Sequence, residues 1–281
     1  DMEKSSAFKE GVQIHKVKNG NGAFTLLYIY EMGKNADKKL DLAMQYLPYL
    51  GTEKYTAEEL QQELYKQGLE FNAYNRNERI YMRLSGLEES LEQGIQLFDH
   101  ILNEAKADEE ALENLVDDIL TTRANDKKDK RKILRSALYN YAKYGENSAY
   151  TNVLTEEELE KLEAQALVDK IHQLKNYEHN IFFYGDTALD ELIDIMKTLP
   201  EELKPVIENK DFGERDTRGN KVYFVDFPMV QAEIMLLSKG TEGFSLDEYI
   251  QSEFYNTYFG FGLSSIVFQE IRESRALAYS A

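Results

Sequence analysis

Apolar residues change their spacing several times along this chain, and that change restricts the fold more than any single motif. Val12 to Val17 and Ala23 to Met32 alternate or run apolar around Asn19-Gly-Asn-Gly22, a strand-turn-strand signal. Phe24 to Tyr30 is β-branched and aromatic enough for a central strand. From Lys38 to Leu50 the spacing lengthens: Leu40, Leu42, Ala43, Tyr46 and Leu47 fall on one helical side, and Pro48 and Gly51 end the run. Thr56 and Glu59 have capping-box spacing and open a second helix, which Gly68 closes. Leu69 to Tyr74 and Arg79 to Leu84 are two further strands around Asn75-Arg-Asn-Glu78.

The helical period then dominates. Leu87 to Leu102, Leu112 to Leu120 and Ile133 to Tyr144 each carry one apolar face. Glu156 to Leu174 is predicted as a single helix, opened by Thr155 and Glu158 in a second capping box. Ile181 to Tyr184 is a buried-strand run, and Leu189 to Leu199 a helix ended by Pro200. This order predicts an α+β domain, a mainly antiparallel sheet with helices packed on one face.

Pro200 to Lys221 is charged and interrupted by Pro205, Gly213 and Gly219, which marks a linker. Beyond it, Val222 to Val225 and Val230 to Leu237 are predicted as strands and Leu246 to Phe259 as a helix. The chain is therefore expected to hold a complete domain at 1–205, a linker at 206–220 and the N-terminal part of a second, similar domain at 221–281. That second unit is expected to be truncated, because about sixty residues ending on a strand pattern leave an unpaired edge and a thin core. Residues 1–11 are polar and carry no structural signal.

Charge and composition exclude several functions. Among 281 residues, 51 acidic side chains face 33 basic ones, a net charge of -18 that repels a phosphate backbone, so no nucleic-acid partner is expected. The basic run Lys127 to Lys132 reads as a solvated loop or helix start. With no cysteine, thiol nucleophiles, disulfides and cysteine-ligated zinc are excluded. An apolar run of about 18 residues is also missing, so no membrane partner is expected. The four histidines, His15, His100, His172 and His179, include no i, i+4 pair of the kind that binds a metal on a helix.

The last twenty-odd residues hold the most suggestive polar pair. Gly260 and Gly262 make a turn, Ser264 or Ser265 can cap a helix, and Ile266, Val267, Phe268 and Ile271 share one apolar face. Arg272 lies near the end of that helix, and Tyr279 follows an Ala-Leu-Ala with the pattern of a strand start. A guanidinium and a phenol side by side can grip carbonyl or carboxylate oxygens. The same two residues also fit an arginine paired with a neighbouring glutamate and a half-buried tyrosine.

Taken together, Leu50 to Leu60, Gly68 to Tyr74, Leu87 to Leu102 and the Phe-Gln-Glu-Ile-Arg-Glu and Leu-Ala-Tyr-Ser of the closing stretch resemble the pitrilysin/insulinase family of zinc metallopeptidases. The resemblance implies a fold like that of the mitochondrial processing peptidase. It also implies an inverted His-x-x-Glu-His motif on the helix before Gly51-Thr52. Here those positions read Leu42, Gln45 and Tyr46, and the more distant carboxylate ligand falls near Glu110 or Ala111. This chain is thus expected to bind no metal and to hold no catalytic residue, with zinc in a catalytic half on the same polypeptide or in a partner subunit.

Arg272 and Tyr279 match, by their separation, the pair with which the half lacking zinc reaches a peptide substrate, whereas Arg275 has the wrong separation and is read as a surface residue. Leu69 to Tyr74 corresponds to the strand that receives substrate backbone in active halves. The alternative implied by the same family is a structural module, as in the core subunits of the respiratory bc1 complex. The expected compartment is the bacterial periplasm or cytoplasm.

Overall fold

The computed structural model describes residues 2–196, 202–216, 218–239 and 245–279. They fall into two compact units, Asp1–Ile234 and Met235–Ala281. The first is built on a six-stranded sheet in the order β1 (Met2–Lys9), β2 (Val12–Val17), β6 (His179–Tyr184), β3 (Ala23–Tyr30), β5 (Arg79–Leu87) and β4 (Glu70–Arg76). Only the β2–β6 pair is parallel, so the expected mainly antiparallel sheet is what forms.

The strand-turn-strand pattern over residues 12–32 gives two strands that are not neighbours. β6 lies between them, Ile181 sitting opposite Ile14 on one side and Tyr28 on the other. The polar turn bridges a strand instead of closing a hairpin. Gly20 and Gly22, both at positive φ, donate their backbone N–H to the Asp186 carboxylate beyond the end of β6 (2.8 and 3.3 Å). The hairpin partner of β2 is β1, whose polar sequence gave no strand signal; Gly11, at φ 84°, makes the turn between them.

Alternate residues of β2, β3, β5 and β6 point to the helices. Ile14, Leu26, Tyr28, Ile80, Met82, Leu84, Ile181 and Phe183 are buried there. They meet α1 (Lys38–Tyr46), α3 (Leu91–Glu104) and α8 (Ala164–Leu174), which supply Leu40, Ala43, Ile95, Phe98, Leu167 and Ile171. Between these run α2 (Ala57–Lys66), α4 (Glu109–Asp126), α5 (Lys130–Lys132), which passes through the π-helical turn Ile133–Leu138 into α6 (Tyr139–Tyr144), and α7 (Glu156–Glu160). α9 (Leu189–Ile195) follows β6 and closes at Met196, and residues 197–199 of the helix expected up to Leu199 lie outside the described residues.

Both capping boxes form. Thr56 Oγ1 accepts the Glu59 N–H (3.2 Å) while Glu59 Oε2 accepts the Thr56 N–H (2.8 Å), and Thr155 and Glu158 repeat the arrangement. Thr56→Ala is expected to lower stability by about 1 kcal/mol in urea denaturation, since one orphan N–H of α2 loses its acceptor. The single helix predicted over 156–174 is instead two. α7 packs on α4, whereas α8 packs on α1 and α3, and one straight rod cannot serve both surfaces.

At the start of β6, His179 is 4 % exposed and lies against the rings of Tyr28 and Tyr30 (5.6 and 5.0 Å), with Nδ1 bound to the Tyr177 carbonyl (2.8 Å). Burial holds its pKa below the usual 6.5, the Tyr177 bond working against the shift. The unfolded chain therefore takes up a proton before the folded one does. Stability from this group is complete above about pH 6.5 and declines as pH falls from there through the depressed folded value. A urea midpoint that drops between pH 7.5 and 5, with a flatter profile in His179→Phe, is the expected result.

Residues 202–239 contain no regular helix or strand among those described, yet they are held at intervals. Lys204 bonds Asn176 and Glu178 through its backbone, and the Asn209 amide donates to the carbonyls of Glu31 and Glu78 while accepting the Gly33 N–H. The strands expected at Val222–Val225 and Val230–Leu237 do not form: Val222, Phe224, Val230, Ile234 and Leu236 are exposed, with no strand ladder among the described residues. Strand propensity is realised only against a neighbouring strand and a covering layer. In the second unit, α10 spans Leu246–Phe259 as expected, opened by Ser245, whose hydroxyl accepts the Glu248 N–H (3.5 Å).

Candidate functional site

The first candidate position lies on α1. Asp37 caps this helix by accepting the Lys39 N–H, and its buried face presents Leu40, Ala43, Met44 and Tyr46 to the core. Leu42 is buried as well. Tyr46 is fully buried, and its hydroxyl donates to the Asp108 carbonyl (2.6 Å) and accepts the Asp108 N–H (2.8 Å). Asp108 in turn caps α4, its Oδ1 accepting the Ala111 N–H (3.0 Å). The phenol thus ties α1 to the first turn of α4, and burial raises its pKa above the usual range.

Gln45 is exposed, its amide donating to Asp41 (3.1 Å), Glu110 is exposed, and Ala111 packs partly into the core. These residues do not fit a zinc ion. Leu42 has no lone pair, the Tyr46 hydroxyl has both its proton and a lone pair committed to the backbone, and Gln45 is not a base. Two of the histidines are engaged through a ring nitrogen, His100 with Thr52 (2.9 Å) and His172 with the Ala105 carbonyl (3.0 Å), whereas His15 stacks on Phe182 at 4.6 Å with its Nδ1 buried and without a hydrogen-bond partner. Among the described residues, no three His, Cys, Asp or Glu side chains converge closely enough to hold a metal.

The second candidate position lies in the second unit, and there the structure brings Arg272 and Tyr279 together. Arg272 sits in the π-helical turn Phe268–Glu273 with its guanidinium 4.6 Å from the centre of the Phe268 ring and 5.2 Å from that of Tyr279. The strand start expected at Ala276 to Ala278 is instead a helix-closing turn. The Ala276 N–H bonds the Arg272 carbonyl (3.1 Å), the Leu277 N–H bonds that of Ile271 (2.9 Å), and Ala276 takes φ 51°. That turn folds Tyr279 back over the guanidinium, a contact open to a helix end and closed to an extended strand.

Tyr279 is 88 % exposed, so its phenol faces solvent while its ring covers the cation. Glu273 flanks Arg272 at 3.7 Å, a surface pair worth little. Arg275 is an exposed partner of Glu270 (3.8 Å). Two contributors escaped the sequence reading. Phe268 was legible from its i, i+4 spacing to Arg272, whereas Asp108, far from Tyr46 in sequence, left no signal there. β4 occupies one edge of the sheet and bonds only β5 among the described strands, which leaves its outer row of backbone groups open.

Comparison with known proteins decides the family. Residues 44–156 match the family model described as insulinase (peptidase family M16), and residues 175–281 match that of the peptidase M16 inactive domain. The chain belongs to peptidase family M16. An uncharacterized zinc protease of Rickettsia felis is 22% identical over 290 residues, covering 97% of this chain and 69% of the relative. A peptidase M16 inactive domain from Pseudomonas fluorescens superposes with a TM-score of 0.71 at 15% identity, over 100% of this chain and 69% of its own. A ferredoxin protease solved in complex with Arabidopsis ferredoxin superposes at 0.61 and 15% identity over 72% of this chain. The chain spans 23% of that protease. Both structures share the α+β fold described above.

Proposed function

We propose that this M16 chain is the half of a zinc endopeptidase that lacks the metal motif, or part of that half. In this reading it closes the peptide chamber, and Arg272 and Tyr279 bind the substrate. The carrying observation is the contrast between the two candidate positions. At Leu42 and Tyr46 the polar atoms are absent or bonded within the core, whereas Arg272 and Tyr279 are stacked with the phenol presented to solvent. A phenol donates to the oxyanion of a tetrahedral intermediate, and a guanidinium holds backbone carbonyls. Zinc belongs, in this reading, to the other half, whether on the same polypeptide or in a partner subunit. The substrate class is a peptide or an unfolded protein segment, added as a strand or laid against the pair.

The test is to assemble the chain with a half carrying the intact His-x-x-Glu-His motif and to measure peptide cleavage for wild type, Arg272→Ala and Tyr279→Phe. Equal kcat/KM in all three sinks the role proposed for the pair. A second reading, an interaction module without a part in proteolysis, draws on α10, none of whose residues is buried and whose Leu246, Phe254 and Tyr258 are exposed. A stable complex that binds no peptide would favour it.

A further inference from the structure

The stretch whose composition marks a linker divides, in the structure, into a fastened part and a loose one. Lys204 exchanges backbone hydrogen bonds with Asn176 and Glu178 (2.7 and 2.9 Å), the Asn209 amide joins the end of β3 to the β4–β5 turn, and the Lys210 N–H bonds the Asn35 carbonyl (3.1 Å). Phe212 is 9 % exposed, with the Lys210 ammonium 4.7 Å from its ring centre. The Arg215 N–H bonds the Lys143 carbonyl at the end of α6 (2.9 Å). Among the described residues from 216 to 234, none makes a backbone hydrogen bond. Side chains alone reach back from there, Tyr223 edge-on to Tyr141 (5.6 Å) and Glu233 to Lys130 and Arg131 (3.2 and 3.7 Å).

The last fastening is the most specific. α6 closes at Gly145, whose φ of 89° favours glycine, and the Arg215 guanidinium lies directly on that backbone: a Cβ at position 145 would stand 2.2 Å from Arg215 Nε and Nη2. The same guanidinium is 4.9 Å from the centre of the Tyr141 ring, and the neighbouring Glu214 pairs with Lys143 (2.7 Å). A surface ion pair alone is worth little. Here a backbone bond, an aromatic face and a space that only glycine leaves open act on one residue, and position 145 needs glycine both for its dihedral and for that space. Past this point Gly219 takes φ 78° with open space where a side chain would stand, so nothing restrains the turn of the chain there.

We infer that residues 204–215 are a strap latched by Arg215 in a socket made by Tyr141, Lys143 and Gly145, and that the chain pivots toward the second unit only beyond Asp216. Seating or releasing the latch then sets how much free chain carries the second unit, because the next anchor back is the buried Phe212. The experiment is hydrogen–deuterium exchange of the whole chain, read by mass spectrometry for wild type, Arg215→Ala and Gly145→Val. In wild type, amides of 204–215 are expected to exchange at least about tenfold more slowly than those of 218–226. Arg215→Ala is expected to speed exchange over 213–215 by about fivefold, the weight of a lost cation–π contact, while β3 and β5 keep their protection. Gly145→Val is expected to do the same by filling the socket; if it unfolds the end of α6, Arg215→Ala decides, since an alanine there disturbs no core residue. Strap and pivot exchanging alike in wild type, unchanged exchange over 213–215 in Arg215→Ala, or strap and sheet losing protection together in that variant would each overturn the inference. The measurement needs no catalytic half, so its outcome is independent of the role given to Arg272 and Tyr279.

Discussion

Tyr279→Phe is expected to lower kcat/KM of the assembled peptidase by about 10²- to 10³-fold, the usual cost of deleting one preorganised oxyanion donor. The substitution removes only the hydroxyl. The ring that covers the Arg272 guanidinium at 5.2 Å remains, so the arginine keeps its place and the loss reports the phenol alone. If the hydroxyl acts only when charge develops on the carbonyl oxygen, kcat falls and KM stays. Arg272→Ala is expected to raise KM as well, since in the proposed role the guanidinium holds ground-state carbonyls, and to free Tyr279 from its stacking partner. Stopped-flow or steady-state cleavage of one fluorogenic peptide separates these patterns. A Tyr279→Phe enzyme with wild-type kcat removes the phenol from the chemistry.

The second large effect is on stability. Tyr46 is fully buried between α1 and α4, and Tyr46→Ala is expected to lower the free energy of unfolding by about 3–5 kcal/mol, the range for emptying a large aromatic site. Tyr46→Phe keeps the volume and leaves the Asp108 carbonyl and N–H without their side-chain partner. Its expected cost is about 1–3 kcal/mol. The ratio of the two, read from urea midpoints at constant slope, separates packing from hydrogen bonding. If Tyr46→Ala costs no more than a typical surface change, within about 0.5 kcal/mol, Tyr46 does not tie α1 to α4.

What was legible in the sequence was mostly local. The capping boxes at Thr56/Glu59 and Thr155/Glu158, the β4–β5 hairpin and the full extent of α10 each follow from residues a few positions apart. The residue types at Leu42, Gln45 and Tyr46 are local in the same sense, since a side chain's lone pairs do not depend on the fold. Where the reading failed, a distant partner decided. β6, His179–Tyr184, separates β2 from β3 although it comes far later in the chain, and β1 forms on a polar sequence because β2 offers it an edge. The extended pattern at 222–237 finds no ladder among the described residues, and the helix at 156–174 breaks to meet two surfaces.

The sequence by itself determined the α+β class, the residue types at positions 42, 45 and 46 and the presence of an arginine and a tyrosine seven positions apart. The fold alone decided what those residues do with their atoms. It bound the Tyr46 hydroxyl to the backbone of Asp108, 62 positions away, and it turned residues 274–279 back so that Tyr279 covers Arg272. Side-chain chemistry is a property of the residue, but which donor meets which acceptor is set by contacts that no local pattern encodes.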